Sequence, residues 1–333
     1  MLKRFLLLLA VPALGAAAYA IHYLTTPVGV SKLPLEFEIR HGTGFRSATR
    51  QLEAEGVSVG GWRFEALARV LNRAKDIKAG SYELARTVTP LELLDKLTRG
   101  DVTQAEIKLI EGWTFRQDRA ALDASPYLKH DSEALSREQI MARLDAPESD
   151  PEGLFFPDTY LFAKGSSDLA VLRRAYHAMK RHLAQEWAKR DPAVPYLAPY
   201  QALIMASIVE KETGRPEDRD KIAGVLVNRL RIGMRLQVDP TVIYGLGQSF
   251  DGNLTRVQLQ EDGPYNTYTR AGLPPTPIAM PSLASIRAAL RPAKTDALYY
   301  VARGDGTSVF SRTLSAHNRA VTKYQLHHGR QKR

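Results

Sequence analysis

Two carboxylates, Glu210 and Glu212, close the apolar run Leu203-Ile204-Met205-Ala206-Ser207-Ile208-Val209, with Lys211 between them. On a helix at about 100° per residue, Ile204, Met205, Ile208 and Val209 share one face. Glu212 falls in the middle of that face, and Glu210 falls on the opposite side. A carboxyl among apolar neighbours is costly as an anion, so its pKa rises and it holds a proton near neutral pH. That is the property of a general acid able to protonate a glycosidic oxygen. The ordinary reading places Glu212 past the core at the helix end, paired with Lys211 or an arginine. Glu210 is the alternative acid.

Other residues are candidate walls for such a site. Tyr265, Asn266, Thr267 and Tyr268 offer rings, an amide and a hydroxyl suited to amino sugars. Asn228 and Gln237 carry amides that match acetamido groups. Asp239 is either a second carboxylate or, in Asp239-Pro240-Thr241, the cap of a helix with proline in its first turn. Glu111 is either a site acid or the polar end of a strand. His317 lies on an amphipathic helix, where packing is the commoner role. The chain has no cysteine, which excludes disulfides, thiolate metal sites and cysteine nucleophiles. No pair of histidines has zinc spacing, and neither a P-loop nor a dinucleotide-binding glycine motif occurs. No metal or cofactor is expected.

The elements that must position these residues begin with an apolar run from Phe5 to Leu24, broken only by His22. At about 1.5 Å per residue it reaches about 30 Å, the thickness of a bilayer core. Lys3 and Arg4 precede it, so residues 1–4 are expected in the cytoplasm and the rest outside, on a single-pass inner-membrane anchor with a periplasmic body. The competing reading is a signal peptide cleaved near Ala18-Tyr19-Ala20. Residues 25–34 read as a linker. Leu35–Ile39 alternates as a strand, 47–55 and 63–74 read as helices, and Gly80–Leu84 reads as a second strand. Thr89-Pro90 opens another helix. This order over 35–100 resembles a LysM-like α+β module, with a plain spacer domain as the other reading. Beyond it, 105–110 reads as a strand, 168–190 as a long helix, and 200–213 and 217–232 as helices around Gly214. The segments 297–303 and 307–311 read as a hairpin, and 315–325 as a closing helix. The fold class is α+β, mainly helical after residue 100. The net charge of +10 favours anionic partners. The export segment and the lack of a recognition motif argue against nucleic acid.

The motifs taken in order go further. Glu111-Gly112-Trp113 and Glu152-Gly153-Leu154-Phe155-Phe156-Pro157-Asp158-Thr159-Tyr160 come first. Then follow Ala206–Thr213, Val227-Asn228-Arg229-Leu230, and the long run Gly233-Met234-Arg235-Leu236-Gln237-Val238-Asp239-Pro240-Thr241-Val242-Ile243-Tyr244-Gly245. Tyr265–Tyr268 and Gly272-Leu273-Pro274-Pro275-Thr276-Pro277-Ile278 complete the set. Together these resemble the YceG-like family of endolytic murein transglycosylases over essentially the whole chain. The resemblance implies a catalytic domain over 101–326, a basic tail over 327–333, and Glu212, second glutamate of the Glu-Lys-Glu triplet, as catalytic acid/base. It implies peptidoglycan glycan strands as substrate, cut without water to leave 1,6-anhydro ends, and peptidoglycan synthases as candidate companions. Leu154-Phe155-Phe156 departs from the pattern, since other members carry more tryptophan there. The rival readings are a hydrolytic muramidase using Asp239 or Glu111 as second carboxylate, and a non-catalytic peptidoglycan-binding scaffold.

Overall fold

Leu35, Phe37 and Ile39 alternate with Glu36 and Glu38, and the strand Leu35–Ile39 buries the first set while exposing the second. The computed structural model describes residues 2–40, 42–212 and 215–326, with side chains described between 14 and 325. It divides into two units. The smaller takes in the chain up to 106 with 127–129 and 161–166, and the larger holds 107–126, 130–160 and the chain from 167 onward.

In the smaller unit, helix α1 (Leu2–Thr25) comes first. The expected span 5–24 falls partly on residues 5–13, whose side chains lie outside the described residues. Among the described residues no helix is long and apolar enough to cross a membrane. The strand Leu35–Ile39 pairs antiparallel with Gly80–Leu84, placing Leu35 opposite Leu84 and Phe37 opposite Tyr82. Between the strands lie α2 (Phe45–Ala54) and α3 (Gly61–Val70), and α4 (Pro90–Arg99) follows. Phe37 stacks on Tyr82 at 5.5 Å, and Phe45 meets Phe64 at 5.3 Å. Helix α3 stops short of the expected residue 74. Asn72 takes φ 54, and the Arg73 N–H reaches back to the Ala68 carbonyl, a turn that ends helices. Helix α4 starts where its sequence directs. The Thr89 hydroxyl accepts from Glu92 N–H, the Glu92 carboxylate accepts from Thr89 N–H, and Pro90 fills the first turn.

The larger unit holds α5 (Phe115–Asp123), α6 (Arg137–Arg143), α7 (Asp168–Trp187), α8 (Pro199–Glu212), α9 (Pro216–Arg231), α10 (Asp239–Leu246), α11 (Arg256–Gln260), α12 (Leu283–Leu290) and α13 (Leu314–Val321). An antiparallel hairpin joins Tyr299–Ala302 to Ser308–Ser311, and α13 packs on it. Helix α8 lies at the centre, with α7, α9, α10 and α12 against it. The sequence predicts one apolar stripe on α8. Instead every residue from Ala202 to Val209 is buried, because neighbours cover the helix on all sides. Each large apolar side chain there contributes about 1.5–3 kcal/mol by leaving water. Helix α9 carries a glycine in its interior for a steric reason. A Cβ on Gly224 would sit 2.6 Å from the Ala293 carbonyl oxygen and 2.9 Å from the Thr295 methyl. The expected turn at Gly214 and the basic tail 327–333 lie outside the described residues.

Candidate active site

Glu212 ends α8, the helix on which α7, α9, α10 and α12 pack. Its carboxyl borders a cavity of about 580 Å³ whose walls include Arg229, Gln237, Asp239, Tyr268, Tyr299, Tyr300 and His317. That size suits a small-molecule or sugar site. The Tyr300 hydroxyl donates to Glu212 Oε2 at 2.6 Å. Burial pushes the Glu212 pKa up and the negative charge of Asp239 adds to this, while the Tyr300 hydrogen bond and the Arg229 charge oppose it. The net shift is upward, so the carboxyl holds its proton more readily than a solvated glutamate. Burial and the neighbouring Glu212 push the Tyr300 hydroxyl well above the usual phenol range, so it stays a donor. With one oxygen held by Tyr300, the other is left to carry a transferable proton.

Tyr299 and Tyr300 of the hairpin line this wall together with Arg229 of α9 and His317 of α13. Arg229 is buried, and its guanidinium donates to the Leu298 and Leu236 carbonyls at 2.6 and 2.7 Å. It also lies 5.3 Å over the Tyr299 ring, whose other partner is the stacked His317 ring at 5.3 Å. Burial, with Arg229 adding to it, lowers the His317 pKa, which favours the neutral ring. His317 is thus a stacked wall residue. Asp239 is the first residue of α10 and makes no capping bond, contrary to its reading as a helix cap. It accepts from the Tyr268 hydroxyl at 2.5 Å instead. Gln237 sits at φ 52, a left-handed backbone that is uncommon outside glycine. The Thr267 carbonyl fixes it by accepting from Gln237 N–H at 3.1 Å.

The structure therefore brings Glu212, Gln237, Asp239 and Tyr268 to one cavity and places the other expected site residues behind or away from it. Asn228 spends its amide on the Thr295 and Ala297 carbonyls, at 2.8 and 3.2 Å, and so fixes the segment leading to Tyr299. Asn266 is buried. Its amide donates to the Gln258, Leu259 and Glu261 carbonyls at the end of α11, and its oxygen accepts from Tyr268 N–H at 2.8 Å. The buried Thr267 hydroxyl accepts from Val238 N–H at 3.0 Å and meets Thr241 at 2.9 Å. Tyr265 bonds Thr276 at 2.8 Å and sets its ring against Tyr244. Glu111 is not among the cavity walls. Burial raises its pKa, and the nearby Glu210 adds to the shift. Glu210 itself accepts from Ser282 N–H and hydroxyl at 2.9 and 2.5 Å, tying α8 to the start of α12. Phe155 is a core residue stacked on Phe115 at 5.3 Å, and Pro277 packs where a Cβ on Gly153 would fall.

Tyr299, Tyr300 and Arg229 are the wall residues that sequence reasoning passed over. Arg229 follows Asn228 in the Val-Asn-Arg-Leu motif, whereas the tyrosines read only as strand. A separate group, Asp123, His130 and Asp168, brings three metal-type ligand atoms within 4.8 Å of one another. None of the three lines the cavity. Asp168 already accepts from Ser132 N–H and hydroxyl and from Leu169 N–H, and Asp123 faces Arg119 at 3.8 Å.

Comparison with known proteins agrees with the motif order. The model of the YceG-like family matches residues 37–323. An endolytic murein transglycosylase from Bacillus subtilis is 34% identical over 75% of this chain and 74% of its own. A protein of the same name from Streptococcus pneumoniae is 27% identical over 96% of this chain, which spans 64% of that longer protein. A crystal structure of a yceG-like protein from Listeria monocytogenes superposes with a TM-score of 0.55 at 31% identity, covering 87% of this chain and 99% of that one. The chain belongs to the YceG-like family.

Proposed function

We propose that this protein is an endolytic peptidoglycan lytic transglycosylase with Glu212 as its acid/base. The observation that carries the reading is a carboxyl raised in pKa by burial, held by Tyr300, on the wall of a cavity of sugar size. The names of the relatives support the substrate class. Glu212 gives its proton to the oxygen joining N-acetylmuramic acid to N-acetylglucosamine, and the bond from that oxygen to C1 breaks. The resulting carboxylate takes the proton of the muramic C6 hydroxyl, whose oxygen bonds to C1 and closes the 1,6-anhydro ring. Glu212 ends protonated, as it began. The attack is intramolecular, which gives it a large effective concentration without an activated water. That Gln237 and Tyr268 line the cavity supports a role for them in holding the sugar.

The apolar segment 5–24 supports a membrane anchor that keeps the enzyme near newly made strands, with synthases as neighbours. This part of the proposal rests on the sequence.

Asp239 favours a second reading, hydrolysis by a muramidase, because it puts another carboxylate in the same cavity. Digestion of purified sacculi with mass analysis of the products separates the readings. Anhydro ends, one water lighter than reducing ends, are expected from the native chain. Glu212→Gln is expected to lower their formation by about 10²–10⁴-fold. Unchanged cleavage by that variant would remove Glu212 from the mechanism, and reducing ends alone would make the enzyme a hydrolase.

A further inference from the structure

Tyr268 is a partition. One side of it lines the cavity that holds Glu212, and it also lines a second recess of about 420 Å³ with Arg235, Arg256, Leu259, Gln260 and Thr269. Arg235 lies in the stretch between α9 and α10, and Arg256 is the first residue of α11. Both side chains are exposed, and among the described residues neither is paired with a carboxylate. No carboxylate lines this recess; Glu261 follows the lining residue Gln260, and Asp262 beyond it is held by Arg270 at 2.8 Å and by the Thr269 hydroxyl at 3.0 Å. On the far side of Tyr268, Asp239 is occupied by the tyrosine hydroxyl. Two guanidinium groups thus line a recess whose walls carry no carboxylate. Like charges gathered in this way repel each other until an anion joins them. Guanidinium forks match carboxylates in geometry, and Leu259 adds an apolar patch for a carbon chain.

We infer that the Arg235–Arg256 recess binds the carboxylates of the peptide carried by a muramic acid beside the bond that Glu212 cleaves, so that the enzyme selects peptide-bearing strands. This rests on the peptidoglycan reading given above. A strand crossing Tyr268 has its scissile bond at Glu212 on one side and a neighbouring sugar's substituent at the arginines on the other. In a peptide-bearing strand the lactyl carboxyl of the muramic acid is consumed by its amide bond to the peptide, so the carboxylates of the peptide are the charges that two unpaired arginines can read.

Binding tests the idea apart from catalysis. The full-length Glu212→Gln protein in detergent is titrated with fluorescent murein oligosaccharides of equal length in three forms: peptide-bearing, peptide-bearing with amidated carboxylates, and peptide-free with the lactyl carboxyls amidated. The peptide-bearing form is expected to bind about tenfold more tightly than the other two, the scale of two exposed ion pairs. Adding Arg235→Gln and Arg256→Gln is expected to erase that difference and leave peptide-free binding as the control for folding. Equal affinity for all three forms overturns the inference, as does a preference that survives loss of both arginines. Inorganic phosphate competing as well as free carboxylate peptides would also overturn it, showing a general anion site. Cleavage by the native chain is measured in parallel. Its absence counts against the enzyme reading and leaves the binding result to judge the recess.

Discussion

Asp118 is fully buried on α5, and neither of its carboxyl oxygens has a hydrogen-bond partner. Burial, with the charge of Glu152 adding to it, pushes its pKa from 3.8 up to about 8. An acid whose folded pKa exceeds its unfolded value keeps a proton that the unfolded chain has lost. The native state therefore binds more protons between those two values, and stability falls as pH rises through that window. Its contribution is fully present below pH 3.8 and is lost by about pH 8. At about 1.4 kcal/mol per pH unit, the loss between about pH 5 and about pH 8 is about 4 kcal/mol. Asp118→Asn keeps the shape and removes the titration. Its amide is as unpartnered as the acid, at a cost of about 1–3 kcal/mol at every pH. The diagnostic is thus the slope with pH, not the stability at one pH. Urea unfolding of the full chain, with Trp62→Phe in both proteins, leaves Trp113 and Trp187 of the larger unit as reporters. The native carboxyl is expected to lose about 4 kcal/mol relative to the asparagine variant across that range. Parallel stability curves would refute a protonated Asp118.

Three further outcomes follow from contacts described above. Tyr300→Phe removes the hydrogen bond that favours the Glu212 anion, so the Glu212 pKa rises further. The alkaline limb of the pH–rate profile is expected to move upward and kcat to fall about tenfold, and an unmoved limb would show that the contact does not tune the acid. Asn266→Ala strips the partners from three carbonyls at the end of α11 and frees the Tyr268 backbone. It is expected to cost about 2–4 kcal/mol in chemical unfolding and to raise KM on soluble glycan. Gly224→Ala forces a Cβ against the Ala293 carbonyl at 2.6 Å, with an expected loss of about 1–3 kcal/mol despite alanine's better helix propensity.

Much of the scaffold was legible because it is local. The strands at 35–39 and 80–84, the Thr89 capping box and the helices on either side of Pro216 all follow from alternation, caps and prolines within a few residues. Helical spacing points to Glu212 rather than Glu210, but α8 is covered on all sides and both glutamates are half-buried, so the stripe alone does not separate them. What surrounds Glu212 was not legible. Tyr300 is 88 positions away from Glu212, and only the packing of the hairpin on the core brings them together. The amides of Asn228 and Asn266 have the chemistry of sugar ligands, yet both are consumed by backbone carbonyls. Sequence shows what a side chain can bond, while the fold decides whether a backbone group claims it first. Asp118 and Glu152 were silent for the opposite reason. Nothing in their own segments marks them as buried, and Glu152 meets its partners Phe115 and Tyr244 only in the folded unit.

The two carboxylates of the cavity differ in their surroundings. Glu212 closes a buried helix, and the loss of water around it raises its pKa. Asp239 opens α10 at the exposed edge of the same cavity and spends one oxygen on Tyr268. Its negative charge acts on Glu212 by raising the cost of a second anion nearby, which keeps the proton on the more buried group. In the proposed mechanism this charge would help Glu212 remain an acid until a glycosidic oxygen takes the proton. Asp239→Asn should then lower the pKa of Glu212 and draw the alkaline limb of the pH–rate profile downward, opposite to Tyr300→Phe. If Asp239 were instead the base that activates water, the same substitution would abolish cleavage at every pH. The direction of that one limb therefore separates a charge that tunes the acid from a base that takes part in the reaction.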